Sequence, residues 1–341
     1  MDINKIFQIQ KKVVPEIVDL LMKRYEILRT ISNFQPVGRR FLSNKLGISE
    51  RTIRTEIEKL RSMNFITIKA HGVELTEEGN KVLSDIHSTF YYIKNLSEIE
   101  LKLMDKLKLK RVSVVSGDAA KDIYTFNDLG KKAASILLEY IKNDTIIGIT
   151  GGTTMANTVK QLKSKKNYKN LLVLPARGGL SEELEIQANT IAANLAKKLK
   201  AQYKLLHIPD NLDENSLTVL KKNKIISDVL EDIKEINLLV FGIGVAKEMA
   251  VRRKSEKSIF ERIEKEKLTA EAFGYFFDNL GNVRMQANSI GITLDNFKEI
   301  NTAIAVAAGS SKAEAIYAVS KFSNNFILVT DEAAARRILE L

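Results

Sequence analysis

Apolar residues recur at three- and four-residue spacing across residues 10–33 (Val14, Ile17, Val18, Leu21, Leu28 and Ile31), which predicts an amphipathic helix. Phe34-Gln35-Pro36-Val37-Gly38 breaks it, since proline and glycine both interrupt helical backbone. Arg39–Leu46 then reads as a short helix, Gly47-Ile48-Ser49 as a turn, and Glu50 to about Met63 as a second helix. Ser49 is placed to cap that helix, and Glu50 sits in its electropositive first turn. The β-like runs Phe65–Lys69 and Val73–Leu75 flank Ala70-His71-Gly72 and predict a hairpin. Thr76 caps a further helix carrying Val82, Leu83, Ile86, Phe90 and Ile93 on one stripe. Ser97-Glu98-Ile99-Glu100 is a capping box opening another, continued at Leu103 and Leu107.

From about Arg111 the texture changes to short β-branched runs alternating with helical segments. The runs are Val112–Val115, Thr145–Thr150, Leu171–Leu174, Tyr203–Ile208, Leu238–Phe241, Ala303–Ala307 and Phe326–Thr330. Such alternation predicts an α/β domain on a largely parallel sheet. Asp278-Asn279-Leu280-Gly281, after the aromatics Phe273, Tyr275, Phe276 and Phe277, marks a hairpin. The expected organisation is therefore a winged helix–turn–helix over 1–76, a helical linker over 77–110 and an α/β domain over 111–341.

The chain of 341 residues exceeds what one core of about 100–200 residues organises, in keeping with that division. Hydrophobic content of 45% and charged content of 28% exclude a wholly disordered or collagen-like chain. The longest apolar stretch, Leu238–Ala246, is under half of the ~20 residues a membrane span needs. Met1-Asp2-Ile3-Asn4 opens no basic-then-apolar leader, so a cytoplasmic protein is expected. With no cysteine, disulfides, thiolate zinc sites and cysteine nucleophiles are excluded. His71, His87 and His207 lie far apart with no ligand spacing, and no metal or cofactor is expected.

The formal charge of +11 points to a polyanionic partner, and its distribution sharpens the point. Residues 21–61 carry ten Lys/Arg against four Asp/Glu, whereas residues 62–100 carry three against six. The basic stretch coincides with the string Arg39 to Arg54, which fits a helix–turn–helix with glycine at its turn. On the second helix Ile53, Ile57 and Leu60 share the buried face, with Arg51 and Thr55 opposite and Thr52, Arg54 and Lys59 on the flanks. Side chains near that helix's N-terminus are best placed for base edges in the major groove, Arg51 on guanine and the threonines on thymine methyls or phosphates. Ser49 belongs to the same approach, while Arg39, Arg40, Lys59 and Arg61 suit phosphates. The hairpin at His71-Gly72 would be the wing.

Thr145 to Ala156 reads as a strand, a glycine-rich turn and a helix start. Backbone N–H groups and threonine hydroxyls there suit an anion, although the lysine and spacing of a nucleotide P-loop are missing. Arg177 follows another strand in Pro175-Ala176-Arg177-Gly178-Gly179. Gly242-Ile243-Gly244 precedes Arg252-Arg253, and Gly309-Ser310-Ser311 leads to Lys312 at a helix start. Each cation alone fits a solvated surface charge. Together, at strand ends where parallel sheets bind ligands, they point to a small polyphosphorylated, polyhydroxylated molecule.

These elements, with Gln187-Ala188-Asn189, give the whole of residues 10–341 a resemblance to the SorC family of bacterial sugar-responsive regulators. The resemblance implies a C-terminal domain similar to sugar-phosphate isomerases that binds fructose 1,6-bisphosphate. It carries Gly151, Gly152, Thr153, Thr154, Arg177, Gln187, Arg252, Arg253, Glu271 and Lys312 over as ligand contacts, with Gln187 and Glu271 suited to sugar hydroxyls. It further implies a repressor of a glycolytic operon, bound to double-stranded operator DNA as homodimers that associate to a tetramer, with ligand weakening that association. The alternative is a sugar-phosphate isomerase or deaminase carrying an added DNA-binding domain. Isomerisation needs a base, and Glu271 is the carboxylate that can be argued into the pocket. His207, in an apolar context, is expected to be structural.

Overall fold

The computed structural model describes residues 13–93, 96–164, 166–178, 183–208, 214–287 and 290–341. Residues 10–12 of the first expected helix and Gly179 lie outside the described residues. The chain divides between Ser97 and Glu98, inside the span 77–110 read from sequence as a linker.

In the first unit, α1 (Pro15–Phe34) starts with proline in its first turn, where the missing N–H has no helical partner to lose. The two short helices α2 (Arg39–Leu46) and α3 (Glu50–Ser62) form the helix–turn–helix. Its turn is closed twice over: Ile48 N–H donates to the Ser43 carbonyl, and the Ser43 hydroxyl donates to the Ile48 carbonyl at 2.6 Å. Ser49 caps α3 as its sequence predicts, its hydroxyl accepting from Thr52 N–H at 3.2 Å. The antiparallel hairpin of β1 (Ile66–Lys69) and β2 (Gly72–Leu75) follows, then α4 (Glu77–Ile93). Ile27, Leu28, Ile31, Leu42, Ile53, Ile57 and Leu60 are all buried in one core with hairpin residues Ile66 and Val73.

After α5 (Leu96–Leu107), the second unit runs β3 (Arg111–Val115), α6 (Ile123–Tyr140), β4 (Ile146–Ile149), α7 (Thr153–Gln161), β5 (Leu172–Pro175) and α8 (Ala188–Leu199). Then come β6 (Gln202–Tyr203), α9 (Glu214–Lys221), α10 (Lys224–Lys234), β7 (Leu238–Gly242), β8 (Gly244–Val245), α11 (Ala246–Arg252) and α12 (Lys257–Lys265). The unit closes with β9 (Leu268–Ala272), β10 (Tyr275–Asp278), β11 (Val283–Gln286), α13 (Leu294–Glu299), β12 (Thr302–Val306), α14 (Ala313–Phe322), β13 (Ile327–Asp331) and α15 (Glu332–Glu340). Seven strands form a parallel sheet in the order β3-β13-β12-β7-β4-β5-β6. The chain builds outward from β4 to β6, then returns beside β4 and builds the other way from β7. A crevice opens at such a reversal, at the carboxyl ends of β4 and β7.

The strand expected over Tyr203–Ile208 is a correction: only Gln202 and Tyr203 pair with β5. Beyond them the Asn189 side chain takes the backbone instead, its Oδ1 accepting from Leu206 N–H and its Nδ2 donating to the Leu206 carbonyl. The hairpin at Asp278–Gly281 is present between β10 and β11 and belongs to a separate antiparallel sheet, β11-β10-β9-β8.

Candidate functional site

On the helix–turn–helix, Ile53, Ile57 and Leu60 are buried while Arg51, Arg54 and Thr55 are exposed, as helical periodicity requires. Arg39 and Arg40 open α2, and Lys59 and Arg61 close α3, all four exposed. Two of these cations have carboxylates close by: Arg40 Nε lies 3.8 Å from Glu50 and Lys59 Nζ 3.6 Å from Glu56. The Ser49 and Thr52 hydroxyls lie 2.8 Å apart, and Thr55 donates to the Arg51 carbonyl. Glu56 was not singled out by sequence, yet it is buried and accepts from Arg24 Nε on α1 at 2.8 Å. Burial alone would raise its pKa, but the Arg24 guanidinium and then Lys59 hold the carboxyl below its ordinary range.

In the second unit a cavity of about 930 Å³ lies at the carboxyl ends of the central parallel strands. All ten residues expected as ligand contacts line it: Gly151 to Thr154, Arg177, Gln187, Arg252, Arg253, Glu271 and Lys312. They arrive from the turns after β4, β5 and β12, from the starts of α7 and α8, from the end of α11 and from β9. Gly152, at φ 114°, adopts backbone that other residues rarely take, and its N–H donates to the Ile186 carbonyl at 2.8 Å. The helix α7 then begins with no side-chain cap, so the positive end of its dipole lies beside the two threonines.

Among the described residues, the charge lining the cavity is unbalanced. Arg177, Arg252, Arg253, Lys254 and Lys312 face two carboxylates, Glu183 and Glu271. Arg177, Arg253 and Glu271 are buried together at 2%, 6% and 4% exposure, a degree that charged groups sustain by pairing. Glu271 Oε1 accepts from Arg253 Nη2 at 2.7 Å, Arg177 Nη1 at 3.4 Å and Gly274 N–H at 2.5 Å. Burial would raise the Glu271 pKa, but Arg253 and Arg177 hold it below the ordinary carboxylate range. Lys312 moves the other way: burial first, then the neighbouring Arg252, lowers its pKa.

Sequence reasoning did not assign Glu183, Lys254 or the apolar wall of Ile186, Ile208, Ile243, Met249 and Phe273 to the cavity. Lys254 is adjacent to the Arg252-Arg253 pair and was open to discovery there; Glu183 carried no signal. His207 is a correction, since it is exposed and lines the cavity rather than packing in an apolar interior. Among the described residues no group of three or more His, Asp or Glu is placed to hold a metal ion. No described helix is long and apolar enough to cross a membrane.

A family model described as "Putative sugar-binding domain" matches residues 91–340, and one described as "CggR N-terminal DNA binding domain" matches residues 20–90. The chain is 39% identical to the central glycolytic genes regulator of Bacillus subtilis, covering 98% of this chain and 99% of that one. It is 37% identical to the protein of the same name from Priestia megaterium, covering 98% of both. A solved structure described as a "putative SorC family transcriptional regulator" from Enterococcus faecalis superposes with a TM-score of 0.66 at 35% identity. That superposition covers 71% of this chain and 99% of the other.

Proposed function

The chain belongs to the SorC family of transcriptional regulators, with a DNA-binding and a sugar-binding domain, and from that membership we propose that it represses a glycolytic operon in the cytoplasm under control of a sugar phosphate. The effector is fructose 1,6-bisphosphate or a close relative, held by the ten residues expected from sequence. The helix–turn–helix reads double-stranded operator DNA, with homodimers associating further on the operator and the effector weakening that association. One observation supports this most: the ten residues, far apart in sequence, line one cavity in which, among the described residues, five cations face two carboxylates. The cations and the uncapped start of α7 suit phosphate groups. Gln187 and the threonines suit hydroxyls.

The isomerase alternative would make Glu271 a general base. Its Oε1 already accepts three hydrogen bonds, two of them from guanidiniums. A carboxylate so stabilised in its ionised form is a weak proton acceptor near neutrality. The test is a gel shift on the operator with and without fructose 1,6-bisphosphate, for wild type and Arg252→Ala. The variant should bind DNA as wild type does and lose the effector response. A full response in Arg252→Ala would remove Arg252 from the site, and turnover of any sugar phosphate would favour the enzyme.

A further inference from the structure

Asp331 is fully buried, at 0% exposure, where β13 ends and α15 begins. Its Oδ1 accepts from Ala334 N–H at 2.9 Å and its Oδ2 from Ala119 N–H at 2.6 Å. Both oxygens also accept from Gly309 N–H, each at 3.0 Å. An N-cap needs only the Ala334 bond, which serine or threonine would supply. The other contacts therefore call for a different explanation. Gly309 stands at φ 95°, and its carbonyl accepts from Lys312 N–H at 3.0 Å, closing the turn that brings Lys312 to the cavity. There Lys312 and Arg252 line the same cavity, close enough for the two charges to repel, while Glu248 and then Asp331 act on the ammonium in the opposite sense. Burial raises the Asp331 pKa, and the N–H donors around it work against that rise.

We infer that Asp331 is a positioning residue for the effector: by gripping Gly309 it fixes the Ser310–Lys312 turn and holds Lys312 beside Arg252 as a preformed seat for a phosphate group. This rests on reading the cavity as a sugar-phosphate site. Holding two like charges together in advance spares the ligand the cost of assembling them. The carboxylate is specific to the task. Each oxygen faces N–H donors, so in asparagine either orientation of the amide sets its NH₂ against one of them.

The experiment compares the full chain as wild type, Asp331→Asn, Lys312→Ala and the double variant. The first readout needs no ligand: acylation of Lys312 by an amine-reactive reagent, followed by peptide mass spectrometry. Asp331→Asn should label Lys312 several-fold faster, with exposed Lys69 as an unchanged internal reference. The second is calorimetric affinity for fructose 1,6-bisphosphate, which Asp331→Asn should weaken about tenfold. The double variant should bind within about twofold of Lys312→Ala alone, because both changes remove the same contact. Unchanged labelling, or losses that multiply, would overturn the assignment. Should Asp331→Asn not fold, Gly309→Ala strains the same turn and must show the same non-additivity. A wild-type chain that bound no sugar phosphate would sink the effector reading, while the labelling would still decide whether Asp331 holds Lys312.

Discussion

Arg51 shows what a single residue position discloses. It follows Ser49 and Glu50 at the start of α3, opposite Ile53 and Ile57, and helical spacing alone puts it on the exposed face. Residues of α3 could be assigned their faces because the information lies within two turns of chain. If Arg51 reads a base, Arg51→Ala costs about 1–3 kcal/mol on the preferred operator and relaxes preference at one base position. Binding measured across a set of single-base operator variants checks this, and a uniform loss over all of them contradicts base reading. Glu271 is the opposite case. Its partners Arg253 and Arg177 stand 18 and 94 residues away, so no spacing rule reaches them. It entered the sequence reading through family likeness as a hydroxyl acceptor, and its grip on two buried guanidiniums emerged only in the folded chain.

Elements were legible where burial wrote a continuous apolar run. The strand β7, Leu238–Gly242, is buried on both faces and reads directly from its side chains, as do β12 and β13. The strands β8 and β9 were not read, one being two residues long and the other interrupted by Thr269 and Glu271. The run Tyr203–Ile208 misled because β propensity there is answered by an Asn189 side chain instead of a neighbouring strand. The joint between α1 and α3 was equally hidden, since Arg24 and Glu56 are 32 residues apart. Removing Arg24 takes away the closer of the two cations that the buried Glu56 carboxylate faces and leaves only Lys59 at 3.6 Å, so Arg24→Ala should destabilise the first unit by about 1–3 kcal/mol at neutral pH. The pH dependence follows from the sign of the shift. Glu56 has a folded pKa below 4.5, so its contribution is complete above that value and is lost as the pH falls below it. Thermal melts from pH 7 down to 3 should therefore show the wild type losing its advantage over Arg24→Ala; a gap constant with pH would assign Glu56 no such role.

At the scale of the whole molecule, charge and topology divide the work. The basic excess is concentrated between residues 21 and 61, around the helix–turn–helix, while the second cation cluster lines a cavity at the reversal point of a parallel sheet. On the proposed function both features serve anions, one a polymer and one a small molecule, and regulation requires that the two binding events communicate. Whatever route connects them, the coupling is a free energy shared by both ligands, typically 1–3 kcal/mol, or about 5–150-fold in affinity. If fructose 1,6-bisphosphate weakens operator binding by a given factor, a saturating operator duplex must weaken fructose 1,6-bisphosphate binding by that same factor. Calorimetric titration of the effector into free protein and into the protein–operator complex measures one side, and gel shifts across effector concentrations measure the other. Equal factors support two sites biasing one conformational equilibrium. An effector affinity unmoved by operator, alongside a strong effect of effector on DNA retention, would mean that the sugar phosphate acts on the DNA interface itself and not through the cavity of the second unit. Arg252→Ala separates these outcomes, since it should abolish both factors together only if the cavity is where the effector acts.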